Sequence, residues 1–301
     1  MNLIELIDMF PRDDLALVFR CILDRVPVIV GGHDANLINQ IVMKLVDFFP
    51  FRKEMVYGTD FLKREEYDSI VQEECMDYDQ HKILIRAPTH LEESILEHMD
   101  DLRGWIIAMC VDGDIDGFYE NASRLRAKSL VSSFVYFNKN AKMQFTRYFN
   151  GNRITNIETR LERNLLKRTL SQTSITIEKI KRVLDKKITN KSDINESILN
   201  SLVDLSQEEE IIKENMLKKE FTEFYQAARR GLAVLSRLNF LNQFHPVRIG
   251  KKTFFDAVSY NESSTGRFLD FVRSEWGESF DDLIDDSKIS ALGDHLDGLW
   301  G

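Results

Sequence analysis

Asp112-Gly-Asp114-Ile-Asp116-Gly117 spells the first half of a calcium-binding loop. Carboxylates at alternate positions converge on one hard cation, and the glycine allows the sharp turn between them. A complete loop closes with a bidentate glutamate at its twelfth position; here that position is Ser123, and Glu120 falls at the ninth. Asp112, Asp114 and Asp116 are therefore an incomplete set of metal ligands. The competing reading is an acidic turn in which Asp116 caps a helix that begins near Phe118.

A second near-motif is Val30-Gly31-Gly32-His33-Asp34, read as a turn between a strand and a helix, where phosphate-binding loops sit. Such a loop needs backbone amides around the phosphates, a lysine for their charge and a hydroxyl for magnesium. The lysine and the hydroxyl are missing, Asp34 adds a negative charge, and the next lysine is Lys44. Asp112 stands where a magnesium-orienting acid would, but an acid after a buried strand is commonplace. NTPase chemistry is not expected, and a nucleotide-sensing domain with a degenerate loop is kept as an alternative.

No catalytic set emerges from the other reactive residues. Cys21, Cys75 and Cys110 are far apart, without the spacing of a zinc site or the pairing of a disulfide framework. Cys110 lies in the run from Trp105 to Val111 and reads as a small buried hydrophobe. The six histidines are scattered, and HExxH and GxSxG are absent. No cofactor is expected, and the sequence leans away from enzymatic function.

Charge is the more informative feature. Residues 1–123 hold 11 Lys+Arg against 25 Asp+Glu, net −14. Residues 124–191 hold 17 against 4, net +13, and residues 192–301 hold 12 against 20, net −8. The overall −9 thus hides a basic middle between acidic ends. Cations in that middle release counterions on meeting a phosphate chain, and Tyr136, Phe137, Tyr148 and Phe149 offer rings for bases to stack on. The candidate contacts are Arg147, Arg153, Arg160, Arg163, Lys167, Arg168, Lys179, Lys181, Arg182, Lys186 and Lys187. The competing reading is internal complementarity, with the basic helices docked on acidic surfaces.

The elements that would position these groups follow from apolar spacing and from glycine and proline. Apolar runs over residues 26–30, 54–57, 82–86 and 105–111 predict strands, separated by helical patterns over 34–49, 62–74 and 89–98. Thr89 with Glu92 has the spelling of a capping box. Strands alternating with helices imply a mostly parallel α/β sheet covered on both faces. Residues 129–149 are ambiguous: Phe134–Phe137, Asn138–Asn140 and the alternation Met143, Phe145, Arg147 suggest a β-hairpin, and a helical reading stays open. Beyond it, proline is absent until Pro246 and glycine is scarce, so a mainly helical bundle or hairpin is predicted. Asp193 with Glu196 and Ser206 with Glu209 read as helix starts, and an apolar stripe from Phe221 to Leu235 predicts a long helix ending near Leu241. Residues 253–258 and 264–276 fit either a helix–turn–helix, with Ser264, Thr265 and Arg267 opening a recognition helix, or a plain helical hairpin with Phe268, Phe271, Val272 and Trp276 in its core.

Together these features predict an α/β domain over residues 1–123, a basic segment over 124–191 and an acidic helical domain over 192–301. The N-terminus lacks the basic start of a secretion signal, and no apolar run reaches the length of a membrane span, so a cytoplasmic protein is expected. The expected function is regulatory or assembly work, without catalysis, in which the basic segment binds a polyanion, expected to be nucleic acid, and the acidic parts bind protein. A homo-oligomer is compatible with this. The alternative to it, besides the nucleotide sensor, is a protein-binding scaffold whose charges pair internally.

Overall fold

A computed structural model describes residues 1–76, 82–111, 115–171 and 195–285. Asp112, Asp114, Lys179, Lys181, Arg182, Lys186, Lys187 and Asp193 lie outside the described residues.

The apolar runs become strands β1 (Val28–Gly32), β2 (Lys53–Val56), β3 (Ile83–Ala87) and β4 (Trp105–Cys110). Helices α1 (Leu3–Met9) and α2 (Arg12–Leu23) precede them, and α3 (Ala35–Asp47), α4 (Arg64–Met76) and α5 (Glu92–His98) connect them. Helix α6 (Ile115–Arg126) then leads to β5 (Val131–Phe137), which pairs parallel with β1. The sheet order is β2-β3-β4-β1-β5, continued by antiparallel β6 (Met143–Asn150) and β7 (Arg153–Ile154). This is the mostly parallel α/β sheet that the sequence predicts, hairpin included. Strands β5 and β6 carry the sheet well past residue 123, so the basic middle begins inside the α/β fold.

Burial on both faces explains why β1 and β4 read as continuous apolar runs. Every residue of β1 is buried, and so are five of the six in β4. On one face Ile29, Ile85, Trp105, Ile107, Phe134 and Tyr136 share a core with Phe118 of α6. On the other, Phe10 meets the ring of Phe137 edge-on at 5.1 Å between centroids.

The glycine pair expected in a phosphate loop lies instead within β1. Gly31 aligns with Met109 and Tyr136, and Gly32 with Cys110 and Phe137. A Cβ on Gly31 would stand 2.2 Å from the ring of Phe118, so packing of α6 on the sheet requires glycine there. The amides at the start of α3 already have an anion: the Asp34 carboxylate accepts from Asn36 N at 2.9 Å and Leu37 N at 3.1 Å. Asp34 is thus a helix cap, the ordinary role of aspartate at that place.

Thr89 does not cap α5. It opens a short 3₁₀ turn and pairs with α3, its N–H donating to Asn39 Oδ1 at 3.2 Å and its hydroxyl accepting from Asn39 Nδ2 at 3.1 Å. Glu92 therefore begins α5 without that partner and is half-buried, which pushes its carboxyl up to about 6; Arg124 opposes the rise and Glu93 adds to it. The folded protein binds this proton more tightly than the unfolded chain does. Stability should accordingly fall as pH rises from about 4.5 through about 6, and the penalty persists above that. Glu92→Gln is expected to raise Tm at pH 7–8 and to remove that part of the Tm–pH slope. Equal slopes for the two proteins would refute the assignment.

Past β7 the chain is helical over residues 160–171 (α7) and again in α8 (Asn195–Asn242). The start expected at Ser206 falls inside α8, which runs unbroken for 48 residues. The chain forms two compact units, one of residues Met1–Ile22 and Val26–Phe221, the other of Leu23–Arg25 and Thr222–Gly301. The division near residue 221 differs from the expected one near 191 because α8 contributes residues to both units.

In the second unit, α9 (Lys251–Val258) and α10 (Thr265–Trp276) are joined by a turn, and a two-stranded parallel pair forms from β8 (Ile249–Gly250) and β9 (Ile284–Asp285). Ser264 caps α10, accepting from Arg267 N. The recognition-helix reading does not hold: Thr265 and Arg267 are buried, and Arg267 pairs with Asp24. Phe268, Phe271, Val272 and Trp276 are core residues, as in the plain hairpin.

Candidate polyanion-binding surface

Three elements of the first unit carry the described candidate contacts of the basic segment. Strand β6 presents Arg147, β7 presents Arg153, and α7 presents Arg160, Arg163 and Lys167. On α7 the positions 160, 163 and 167 follow helical spacing, so they share one exposed face. The opposite face, with Leu161, Leu165 and Leu166, is buried. The amphipathic pattern of the segment thus fixes which cations face solvent.

Arg147 and Arg163 come together at a cleft of about 500 Å³ near the first turn of α2. Arg147 Nη1 donates to the Thr146 carbonyl at 3.2 Å, and its guanidinium lies 5.8 Å from the Phe145 ring centre. Arg163 Nη2 donates to Thr159 Oγ1 at 3.3 Å, and its Nε is 3.4 Å from Asp13 Oδ1. Both members of that ion pair are at least half exposed, so it adds little to stability. The Asp14 carboxyl beside it is pushed upward from its ordinary value by burial and by Asp13, against the pull of Thr146 and Arg147.

The remaining described candidates divide clearly. Arg153, Arg160 and Lys167 are exposed and form no ion pair with a described residue. Arg168 does not share their situation. It grips Glu220 of α8 with two parallel hydrogen bonds, Nε to Oε1 and Nη2 to Oε2, and Glu220 is buried. That bidentate pair is internal, a role the sequence does not distinguish from phosphate binding. Lys128 is likewise paired, 3.1 Å from Asp100.

The ends of the central parallel strands are where open α/β sheets usually bind ligands, because the chain leaves β1 and β4 in opposite directions. There Tyr136 Oη is 3.1 Å from His33 Nε2, and the Cys110 thiol, half-buried, faces the His33 carbonyl at 3.6 Å. Asp116 falls in the first turn of α6, where its charge suits the helix dipole; it does not cap the helix from outside. Among the described residues no group of three histidines, cysteines or carboxylates is placed to hold a metal ion. No described helix is long and apolar enough to cross a membrane.

The fold and surface define an α/β protein with an antiparallel extension that carries a cationic face. Comparison with protein-family models, with curated proteins and with solved structures gives no match.

Proposed function

We propose that the chain is an intracellular regulatory or assembly protein, without catalysis of its own, that binds nucleic acid through the face formed by β6, β7 and α7. What carries this reading is the group Arg153, Arg160 and Lys167, exposed and without carboxylate partners among the described residues, beside the arginine-lined cleft. Exposed cations on neighbouring stretches of one chain segment are suited to a phosphate chain, and counterion release then supplies the affinity. The acidic stretch before residue 124 is the part we assign to protein partners.

A second reading, a scaffold whose charges pair internally, is favoured by Arg163 on Asp13, Arg168 on Glu220 and Lys128 on Asp100. Anisotropy of labelled DNA and RNA over a salt series separates the two. With wild-type protein, affinity should fall steeply as salt rises. Arg160→Gln and Lys167→Gln should each weaken binding to all sequences and reduce the salt slope by about 1. Absence of binding to any nucleic acid at low salt would overturn the proposal and leave the paired-charge scaffold.

A further inference from the structure

The cleft has features that a surface for phosphates alone does not need. We infer that it takes one unstacked nucleotide of a single-stranded nucleic acid, with Arg147 and Arg163 on the phosphate and the base against Ile154 and Ile157. The inference rests on the polyanion reading and adds strand type to it.

Three observations carry it. Size comes first: about 500 Å³ is within the range of small-ligand sites and exceeds what a phosphate requires. The lining is mixed, since Tyr148, Ile154 and Ile157 stand beside the two arginines, and Asn156 supplies an amide that can both donate and accept. A base asks for that combination: apolar faces, and edges that hydrogen-bond. Finally, Ile154 is 59% exposed, an apolar side chain at the mouth of a cationic cleft that the fold itself does not bury. In a duplex the bases are stacked and paired, so only an unpaired base can enter.

Asp13 is the group the phosphate displaces. Its pair with Arg163 is exposed and 3.4 Å long, so a doubly accepting phosphate oxygen set competes well for the guanidinium. Removing the Asp13 charge should therefore favour the ligand, whereas removing Arg147 should weaken it.

The test compares a single strand with a duplex of equal length at one salt concentration, by anisotropy. Wild type should prefer the single strand by about tenfold, the scale of one base contact. Ile154→Glu and Arg147→Gln alter exposed side chains, so Tm should hold while the preference falls to about twofold or less. Asp13→Asn should tighten single-strand binding. Arg160→Gln, outside the cleft, should weaken both ligands alike. Equal binding of single strand and duplex by wild type, or equal losses for both in Ile154→Glu, would overturn the inference while leaving the proposed function standing. Failure to bind either ligand overturns both. Should Ile154→Glu lower Tm, Arg147→Gln and Asp13→Asn decide the matter by the same ratio.

Discussion

Replacing Arg267 by methionine is expected to destabilise the unit that holds Leu23–Arg25 and α10 by about 3–5 kcal/mol. The guanidinium is 1% exposed and its Nη1 stands 3.0 Å from Asp24 Oδ1. It also lies 5.4 Å from the ring centre of Phe224 and 5.7 Å from that of Phe271, contacts that methionine would partly keep. What methionine cannot keep is the charge. The Asp24 carboxylate, 12% exposed, would lose the Arg267 cation from its surroundings in the interior. Removing both charges is a different case, because the pair had to be desolvated to form at all. The double variant Asp24→Leu with Arg267→Met should therefore recover most of the loss and stand within about 1–2 kcal/mol of wild type. Urea unfolding of the four proteins gives both numbers. A single variant within 1 kcal/mol of wild type, or a double variant no more stable than the single one, would show that the ion pair does not anchor the segment. The position matters beyond its energy, since Arg267 is the residue that a recognition helix would offer to bases, and its burial removes it from that role.

The contrast between Arg267 and Arg160 shows what local sequence can and cannot report. The continuous apolar runs of β1 and β4 survive into the structure because both faces of the sheet are covered there, and the apolar alternation of β6 survives because neighbouring side chains point to opposite faces and the core sorts them. Periodicity also separates the two faces of α7, which is why Arg160 and Lys167 are exposed. Long-range partners leave no such trace. Nothing near Arg168 announces Glu220, and nothing near Arg267 announces Asp24, yet those carboxylates decide that the two arginines are structural. Similarly, Ser206 with Glu209 has the spelling of a helix start, but a cap acts only where the backbone breaks, and α8 has no break there. The cleft itself was only half legible. Arg147 and Arg163 were candidates by charge, whereas Ile154, Ile157 and Asn156 became part of a site only when the chain turned from β7 into α7.

Gly31→Ala is the other substitution with a large expected effect, and it bears on how the sheet's usual ligand position is used. The added methyl would meet the Phe118 ring at 2.2 Å. That ring has no free direction in which to retreat: its centroid lies 5.1 Å from Tyr136, 5.9 Å from Phe134 and 6.0 Å from Phe145. Overpacking of this kind costs about 1–3 kcal/mol. Phe118→Ala, which empties the same space, should cost about 3–5 kcal/mol. Because the methyl would enter the cavity that the lost ring leaves, the two effects should not add. Gly31→Ala in the Phe118→Ala background should be within about 0.5 kcal/mol of neutral, a coupling of about 1–3 kcal/mol in the double-mutant cycle. Simple additivity would mean that Gly31 is there for another reason, and a phosphate approaching the strand end would again be the leading one. In that event magnesium and nucleotide should raise Tm of the wild type and fail to do so in Gly31→Ala. With the coupling present, the glycine is explained by the aromatic side chain packed on it, and the Asp34 carboxylate on the α3 amides explains the rest of the motif.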